Sequence, residues 1–291
     1  MIALVLAGGW GRRFEHGDES AMGRKQLATV DEAEQTLVDY ALYDAALSGV
    51  SRAVIVTSAL NRPLFAQTVG ARIGQNLTVD YVEQTPPEVY GFEPTCPPLG
   101  TGHAFLCGAQ GLKEPFIVFN ADDFYGREAI RTAVDIARRG EYGCVTFPAG
   151  QTVGRAPVHR GLCLTEAGRL KGICECTFGR DAVGKLYAED ATCRKYVRES
   201  TPVNMNLYAM QPTIVATAAK CFAAFLAENK QTECLLGDVV TEYVGRTHTP
   251  FVAARANSRW YGVTYREDLV RVRAHIAKLR KHGVYPRSLW S

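Results

Sequence analysis

Short apolar runs alternate with segments of helical spacing along the first 140 residues. The runs are too brief for helices and end at turn residues, so we predict buried strands at residues 2–7, 52–57, 77–82 and 116–119. Between them, residues 36–47 and 127–139 read as helices, and Thr36 with Asp39 predicts a capping box at the first. This alternation predicts an α/β fold, a Rossmann-like mixed and mostly parallel sheet flanked by helices.

The pattern changes beyond residue 140. A hairpin is expected over 161–175, turning at 166–169, and residues 178–199 are polar enough to suggest an excursion or lid-like insertion. We interpret the chain as a single domain, 1–291, divided into a first half (1–140), a second half (141–265) and a C-terminal helix and tail (266–291). Further strands are predicted at 144–147, 203–210 and 260–264, and helices at 212–229, 238–244 and 266–281.

Composition narrows the class of protein. Hydrophobic residues make up 47% and charged residues 22% of the 291, which is typical of a globular protein with a full core. A net charge of +3 gives no reason to expect nucleic acid or a membrane as a partner. The apolar start runs into Gly8 and Gly9 without a preceding basic region, so we predict a strand rather than a signal peptide, in a cytoplasmic protein.

The nine cysteines are scattered and odd in number, which favours buried thiols over a disulfide framework. Cys174 and Cys176 form the one close pair, and strand alternation places both thiols on one face. A second pair at ligand spacing is missing from the sequence, so a zinc site is the less favoured interpretation.

A glycine-rich loop follows the first strand. Gly8, Gly9 and Gly11 allow the backbone to approach a ligand closely, and Arg12 and Arg13 add positive charge. The loop therefore suits a phosphate-rich ligand, although a plain strand-turn is about equally favoured by spacing alone. The spacing matches neither the P-loop nor the dinucleotide fingerprint.

Other polar residues fall where a parallel sheet gathers its ligands. Gln84 follows a strand and is able to pair with a base edge, and Lys25 suits a phosphate clamp; a loop glutamine or a solvated lysine is the plainer interpretation. Gly100 and Thr101 open a helix whose first turn contains His103, which we interpret as structural rather than as a catalytic base.

Two aspartates end the most apolar strand. Hard oxygen ligands at this position suit Mg²⁺ bridging phosphates, and an aspartate is also a good helix cap. Both roles are compatible, with Asp122 on the metal and Asp123 capping the next helix. Farther along, Asn204 and Asn206 share a strand face, where they either bind sugar hydroxyls or face solvent.

Taken together, these segments resemble the sugar-1-phosphate nucleotidylyltransferases of the NTP-transferase superfamily, in a bacterial single-domain branch without a β-helix extension. The resemblance spans nearly the whole chain. It is carried by residues 6–14 (LAGGWGRRF) with Lys25 downstream, 100–104 (GTGHA), 120–126 (NADDFYG), 260–265 (WYGVTY), 283–286 (GVYP) and Leu289-Trp290.

The resemblance implies a reaction and a set of site residues. A sugar-1-phosphate would attack a nucleoside triphosphate (NTP) with Mg²⁺ bound, releasing pyrophosphate. Arg13, Lys25 and Asp122 would be catalytic, Asp122 would hold the metal, and Glu175 and Asn204 would contact the sugar. The implied nucleotide-binding residues are Leu6, Ala7, Gly8, Gly9, Gly11, Arg12, Gln84, Gly100, Thr101 and Asn120.

The chain departs from the family pattern at two positions. Arg24 stands where the signature has proline, and Gly262 stands where many members carry a second metal-binding aspartate, so Asp238 and Asp268 become candidates for that ligand. Two alternatives stay open: a cytidylyltransferase for a non-sugar phosphate such as phosphocholine or a phosphonate, and a catalytically silent nucleotide-sugar-binding regulatory protein. The nucleobase and the acceptor are undetermined, and the sequence allows a homo-oligomer.

Overall fold

A mixed sheet with helices on both faces organises the chain in the computed structural model, which describes residues 1–10, 24–73, 77–93, 95–154, 156–228, 233–263 and 265–290. The described strands are β1 (Ile2–Leu6), β2 (Arg52–Thr57), β3 (Thr78–Glu83), β4 (Phe116–Asn120), β5 (Asp123–Phe124), β6 (Tyr142–Pro148), β7 (Val158–Glu166), β8 (Arg169–Arg180), β9 (Leu186–Glu189), β10 (Arg194–Tyr196), β11 (Pro202–Met210), β12 (Phe251–Arg255) and β13 (Tyr261–Gly262).

Eleven of these described strands form one sheet. Its order is β10-β9-β8-β12-β6-β11-β4-β1-β2-β3, and β7 pairs with β8 and β11. The block β4-β1-β2-β3 is parallel, as is the pair β6 and β12, whereas β11 runs antiparallel to both β4 and β6. The short strands β5 and β13 pair separately, beyond the end of β4. The predicted fold class is confirmed.

The helices cover the two faces of the sheet. Thr36 caps α1 and, with Asp39, forms the predicted capping box. The described helices are α1 (Leu37–Leu47), α2 (Arg62–Phe65), α3 (Thr101–Ala109), α4 (Arg127–Arg138), α5 (Ala149–Thr152), α6 (Val215–Ala227), α7 (Leu236–Thr247) and α8 (Asp268–Lys281), with a 3₁₀ turn at Arg24–Leu27 before α1.

Strand alternation divides the core into two layers. In β1, Ala3 and Val5 point to the face that α1 and α4 cover, while Leu4 and Leu6 point to the face covered by α3, α6 and α7. Because both faces are buried, the strand is apolar at every position, which is why its sequence shows no alternation of polarity.

The C-terminal tail is fastened to this core by a buried carboxylate. Tyr285 donates a hydrogen bond to Asp44, and Arg127 pairs with Asp44 at 3.0 Å. Burial raises the pKa of Asp44 to about 6, although the hydrogen bonds from Tyr285 and Arg127 oppose the rise. The tail thereby closes over α1 and holds α8 against the N-terminal half.

Residues 178–199, predicted as an excursion or lid-like insertion, extend the edge of the sheet. They comprise the end of β8 and the strands β9 and β10, which pair antiparallel in sequence order. These strands were not predicted because the segment is polar. Strand β10 is exposed at every residue, so its sequence lacks the alternation of apolar and polar residues that indicates a strand. Strand β12 was also not predicted. The two halves, 1–140 and 141–265, contribute strands to the same sheet, and the domain boundaries stay a prediction.

The nine cysteines are free thiols, and four of them, Cys144, Cys163, Cys176 and Cys234, are buried, as the prediction of buried thiols requires. No described helix is both long enough and apolar enough to cross a membrane.

Candidate active site

Those predicted nucleotide-binding residues that the structure describes lie near the carboxyl ends of β1, β3 and β4. The Gln84 side chain is 8% exposed and packs against the Cα atom of Gly8. Its amide nitrogen lies 3.4 Å from the carbonyl oxygen of Gly100 and 3.2 Å from Nδ1 of His103. Leu6 pairs in register with Asn120, and Leu6 and Ala7 are buried beside it.

Gly100 has a position that a larger residue would not tolerate. Its φ is +98°, and a Cβ atom there would collide with the backbone of Cys234. The turn is held by hydrogen bonds from Gly102 N to Cys234 O at 2.8 Å and from Cys234 N to Leu99 O at 2.9 Å. The Thr101 hydroxyl accepts a hydrogen bond from Leu236 N at 3.0 Å, so Thr101 also serves the start of α7.

His103 is a structural residue, as the sequence analysis favoured. It is fully buried, and its ring stacks on Phe222 with 4.4 Å between centroids. Burial lowers the pKa of His103 to about 4, so the ring is neutral near pH 7. Gln84 lies at its Nδ1 atom, and Tyr90 and Cys107 lie at its Nε2 atom.

Lys25 reaches the end of β4 from the 3₁₀ turn before α1. Its ammonium forms an ion pair with Oδ2 of Asp122, and the two side chains are 15% and 24% exposed. The turn is tied to the glycine loop because Gln26 Nε2 donates to Gly9 O at 2.8 Å. Gly11, Arg12 and Arg13, which were predicted to bind phosphates, lie outside the described residues.

Asp123 does not cap the next helix, so that prediction is wrong. Helix α4 begins after Gly126, and the side chain that bonds its first turn is Ser258, whose Oγ atom accepts from Ala129 N at 3.2 Å, whereas Asp123 is held in β5, which pairs with β13. Its Oδ2 atom accepts hydrogen bonds from Asn120 Nδ2 at 2.9 Å and from Tyr125 Oη at 3.1 Å. Burial, with a contribution from the Asp122 charge, raises the pKa of Asp123 to about 7.

Gly262, the departure from the family pattern, lies directly opposite Asp123 in the β5–β13 pair. A Cβ atom at Gly262 would collide with the Trp260 ring and would lie 2.9 Å from Oδ1 of Asp123. Val263 N donates to the Asp122 carbonyl oxygen at 3.1 Å, which ties β13 to the same turn. The space that a side chain at 262 would need is therefore taken by Trp260 and Asp123.

The two aspartates considered as replacement ligands have other partners. Asp268, at the start of α8, accepts a hydrogen bond from Tyr265 N at 2.9 Å and pairs with Arg271 at 2.7 Å. Asp238 lies in the first turn of α7, where its charge adds to the effect of burial in raising the pKa of Glu175. Among the described carboxylates, Asp123 is the one that adjoins Asp122 and faces Gly262.

A chain of amides connects the two aspartates to the second half of the protein. Asn120 Oδ1 accepts from Asn206 Nδ2 at 3.2 Å, and Asn206 Oδ1 accepts from Asn204 Nδ2 at 3.2 Å. The predicted common face of Asn204 and Asn206 arises through a bulge in β11, with Asn206 at φ 58°. Alternation placed Asn206 beside Asn204, but the bulge and the hydrogen bond to Asn120 were not predicted.

Glu175 lies at the far end of this chain. A Cβ atom on Gly161 of β7 would lie 3.1 Å from Glu175 Oε1 and 3.3 Å from Asn204 Cβ. The two residues predicted to bind the sugar therefore both lie next to Gly161, which has no side chain. Burial raises the pKa of Glu175, the Asp238 charge adds to the rise, and the charge of Arg160 opposes it.

Arg160 and Trp260 also lie at this site. Trp260 opens one of the segments that carry the family resemblance, whereas the sequence gave no signal for Arg160. The Arg160 guanidinium lies 5.1 Å from the centroid of the Trp260 ring and donates to Thr152 O at 3.1 Å. Its charge lowers the pKa of both Asp123 and Glu175 against the effect of burial. Arg160 is thus a cation close enough to influence the carboxylates at both ends of the site.

Known proteins resemble this chain along nearly its whole length. The model of the nucleotidyl transferase family matches residues 2–278, which is nearly the whole chain. The chain belongs to the nucleotidyl transferase family. Members of this family bind an NTP and a phosphate substrate and generally use divalent metal ions. The protein is therefore a nucleotidyltransferase.

Solved structures share the nucleotidyltransferase fold along its full length. The inositol-1-phosphate CTP transferase from T. maritima aligns with a TM-score of 0.64 at 16% identity, covering 96% of each chain. A UDP-glucose pyrophosphorylase complexed with UDP-glucose aligns at 0.61 and 19% identity, covering 95% of this chain and 98% of the other. A UTP-bound UGPase from Acinetobacter baumannii aligns at 0.61 and 14% identity, covering 96% and 93%. No curated protein matches the chain significantly.

The described residues fit a divalent cation at the end of β4. Asp122 and Asp123 bring hard oxygen donors together, and among the described residues Asp123 Oδ1 accepts no hydrogen bond, whereas Oδ2 accepts two. Lys25 pairs with Asp122 at this position.

Proposed function

We propose that this nucleotidyltransferase joins a sugar-1-phosphate to an NTP and releases pyrophosphate, giving a nucleoside diphosphate sugar. The observation that carries the proposal is the hydrogen-bonded chain Asn120–Asn206–Asn204. It links the carboxylates beside the phosphate-binding end of β4 to the polar region around Glu175. Two substrates bound at the ends of this chain would meet between Lys25 and Arg160.

The proposed reaction needs alignment more than acid–base chemistry. An oxygen of the sugar-1-phosphate forms a bond to the α-phosphorus of the NTP, the bond from that phosphorus to the bridging oxygen of the β-phosphate breaks, and pyrophosphate leaves. The attacking oxygen already carries negative charge, so no general base is required. Lys25 and Arg160 would lower the repulsion between the two anions and hold them in line.

The nucleotide would occupy the carboxyl ends of β1, β3 and β4. The backbone of Gly8 and Gly9, with Gly11, Arg12 and Arg13, is proposed to bind the triphosphate. Gln84 and Gly100 are proposed to contact the base. The remaining proposed nucleotide-binding residues are Leu6, Ala7, Thr101 and Asn120.

We assign Mg²⁺ to Asp122 and Asp123. Asp123 replaces the ligand that family members supply from the position of Gly262, and its Oδ1 atom faces that position. When bound, the cation would neutralise charge on the phosphates during transfer. Asn120 and Tyr125 would orient Asp123 through its other oxygen.

The acceptor side favours a hydroxyl-bearing group over choline. Glu175 and Asn204 offer a carboxylate and an amide, which match the donors and acceptors of sugar or cyclitol hydroxyls. Recognition of a quaternary ammonium uses an exposed aromatic face. The Trp260 ring, just before β13, already has Arg160 over it. The Arg160 charge would instead suit the acceptor phosphate.

The decisive experiment measures pyrophosphate release with Mg²⁺. UTP, CTP, GTP, ATP and dTTP would each be combined with glucose-1-phosphate, other sugar-1-phosphates, inositol-1-phosphate and phosphocholine. Release that needs both a nucleotide and a sugar-1-phosphate, and that Asp122→Ala abolishes, supports the proposal. Asp135→Asn, on the exposed side of α4, serves as the matched control and is expected to behave as wild type.

Other outcomes identify the alternatives. Release that occurs when a nucleotide is combined with phosphocholine, but with none of the sugar-1-phosphates, would establish the cytidylyltransferase alternative. Binding of a nucleotide sugar without release from any pair would establish the silent regulatory protein. Either result contradicts the proposed acceptor.

A further inference from the structure

Three potential metal ligands converge at the far edge of the sheet, away from the carboxylates at the end of β4. The Sγ atoms of Cys174 and Cys176 and a carboxylate oxygen of Asp190 all lie within 4.8 Å of one another. The two sulfur atoms are 3.9 Å apart. The two cysteines are a close pair in the sequence, and folding brings Asp190 next to them as a third potential ligand.

Strand geometry explains why these residues meet. Cys174 and Cys176 are two positions apart on β8 and point to the same face. In the β8–β9 pair, Thr177 lies opposite Glu189. Cys176 precedes Thr177 and Asp190 follows Glu189, so the antiparallel pairing brings these two residues close together at the end of β9.

The turn that follows β9 orients Asp190. Its Oδ1 atom accepts hydrogen bonds from Thr192 Oγ1 at 2.6 Å, from Thr192 N at 2.8 Å and from Cys193 N at 3.0 Å. These donors, the Thr192 hydroxyl first, lower the pKa of Asp190 to about 2. The carboxylate is thus always ionised near neutral pH, and its Oδ2 atom accepts no hydrogen bond from the described residues.

The distances suit a tetrahedral thiophilic ion. Two thiolates bound to Zn²⁺ at about 2.3 Å lie roughly 3.8 Å apart in tetrahedral geometry, close to the separation found here.

We propose that Cys174, Cys176 and Asp190 form a binding site for a thiophilic divalent cation of the Zn²⁺ type. Cys176 is buried, whereas Cys174 is half-buried and Asp190 is exposed, so the fourth coordination position is open to solvent. Two of the residues lie on β8 and Asp190 lies at the start of the turn after β9, so the bound cation would cross-link β8 to this turn. Glu175, between the two cysteines, points to the opposite face of β8, so the cross-link would stiffen the strand that carries it.

Cobalt(II) titration of the reduced full-length protein tests this site without any assay of turnover. Thiolate ligands give Co²⁺ a charge-transfer absorption in the near ultraviolet, which oxygen ligands do not produce. We expect the absorption to saturate at one Co²⁺ per chain and to disappear when Zn²⁺ is added. Excess Mg²⁺ should leave it unchanged, because Mg²⁺ prefers oxygen ligands.

Matched variants identify the ligands. Cys174→Ser and Cys176→Ser should each lower the affinity for Co²⁺ at least about tenfold, and Asp190→Asn should do so without removing the thiolate absorption. Cys96→Ser, a half-buried cysteine elsewhere in the chain, should bind Co²⁺ as wild type does. Circular dichroism would show that each variant is folded, and Asp190→Asn, at an exposed position, is the variant expected to perturb folding least.

The proposal is overturned by either of two results. One is that no thiolate absorption appears when the reduced protein is titrated with Co²⁺. The other is that the absorption persists in the double variant Cys174→Ser/Cys176→Ser, which would assign it to other cysteines. Both results are independent of nucleotidyl transfer, so they leave the proposed function untouched.

Discussion

Oδ1 of Asp123 lies 2.9 Å from the point that a Cβ atom would occupy at Gly262. The two residues pair across β5 and β13, and the Trp260 ring closes the remaining space. An aspartate at 262 and the present Asp123 would therefore compete for one position. The glycine and the second aspartate are two parts of one arrangement, in which consecutive residues at the end of β4 supply both carboxylates.

The first prediction concerns stability. Gly262→Ala should lower the free energy of unfolding by about 1–3 kcal/mol, because the added methyl group overpacks against Trp260 and Asp123. Urea denaturation followed by circular dichroism measures the change. Gly245→Ala is the control. Gly245 is exposed within α7 with open space around it, and alanine there should raise the free energy of unfolding by roughly 0.5–1 kcal/mol. Equal stability of Gly262→Ala and wild type would contradict the close packing.

The second prediction concerns the source of the second metal ligand. Asp123→Asn should weaken Mn²⁺ binding, used as a probe for Mg²⁺, at least about tenfold, because it removes a charged oxygen ligand but preserves size. Asp268→Asn should bind Mn²⁺ as wild type does, since Asp268 is engaged by Tyr265 and Arg271. Isothermal titration calorimetry measures both affinities. Loss of binding in Asp268→Asn but not in Asp123→Asn would reverse the assignment.

The sequence was sufficient where local signals decide the structure. The capping box at Thr36, the strand β1 and the turn before α3 were all predicted, because each depends on residues close together in the chain. The α/β class followed from their alternation. Asp122 was likewise placed at a strand end, where the structure finds it paired with Lys25.

The remaining features depend on pairing between distant segments. Asp123 is a residue type that often caps helices, and the sequence predicted it in that role. Its burial depends on the pairing of β5 with β13, which lie far apart in the sequence. Asn206 joins the amide chain through a bulge, which alternation does not reveal. Arg160 is an isolated arginine on a hairpin, and its contact with Trp260 exists only in the folded chain.

The third prediction concerns pH. The pKa of His103 is lowered from 6.5 to about 4 by burial, so between these values the unfolded chain binds a proton that the folded protein does not. Stability should therefore fall as the pH decreases from 6.5 towards 4, by about 3 kcal/mol at most, and be unaffected by this group above pH 6.5. Denaturation midpoints measured across this range test the dependence.

The comparison with His103→Gln isolates this contribution. The variant should lose the acid-dependent decline, although it is less stable at pH 7 because the stacking on Phe222 is removed. Other acidic groups, among them Asp44, titrate in both proteins and cancel in the difference. His282→Gln, at the exposed end of α8, should decline as wild type does. If wild type and His103→Gln show parallel pH profiles, His103 is not the group responsible.

The fourth prediction separates two roles of Lys25. In the free protein its ammonium pairs with Asp122, at the position where we place the metal, so it competes with the cation. Lys25→Met should therefore raise the affinity for Mn²⁺ in the absence of nucleotide, roughly tenfold. The same variant should lose at least about 100-fold in kcat, because the charge that would stabilise the transferring phosphoryl group is gone.

Lys281→Met, at an exposed position at the end of α8, removes the same net charge and should change neither quantity. A fall in Mn²⁺ affinity in Lys25→Met would mean that Lys25 positions Asp122 for the metal instead of competing with it.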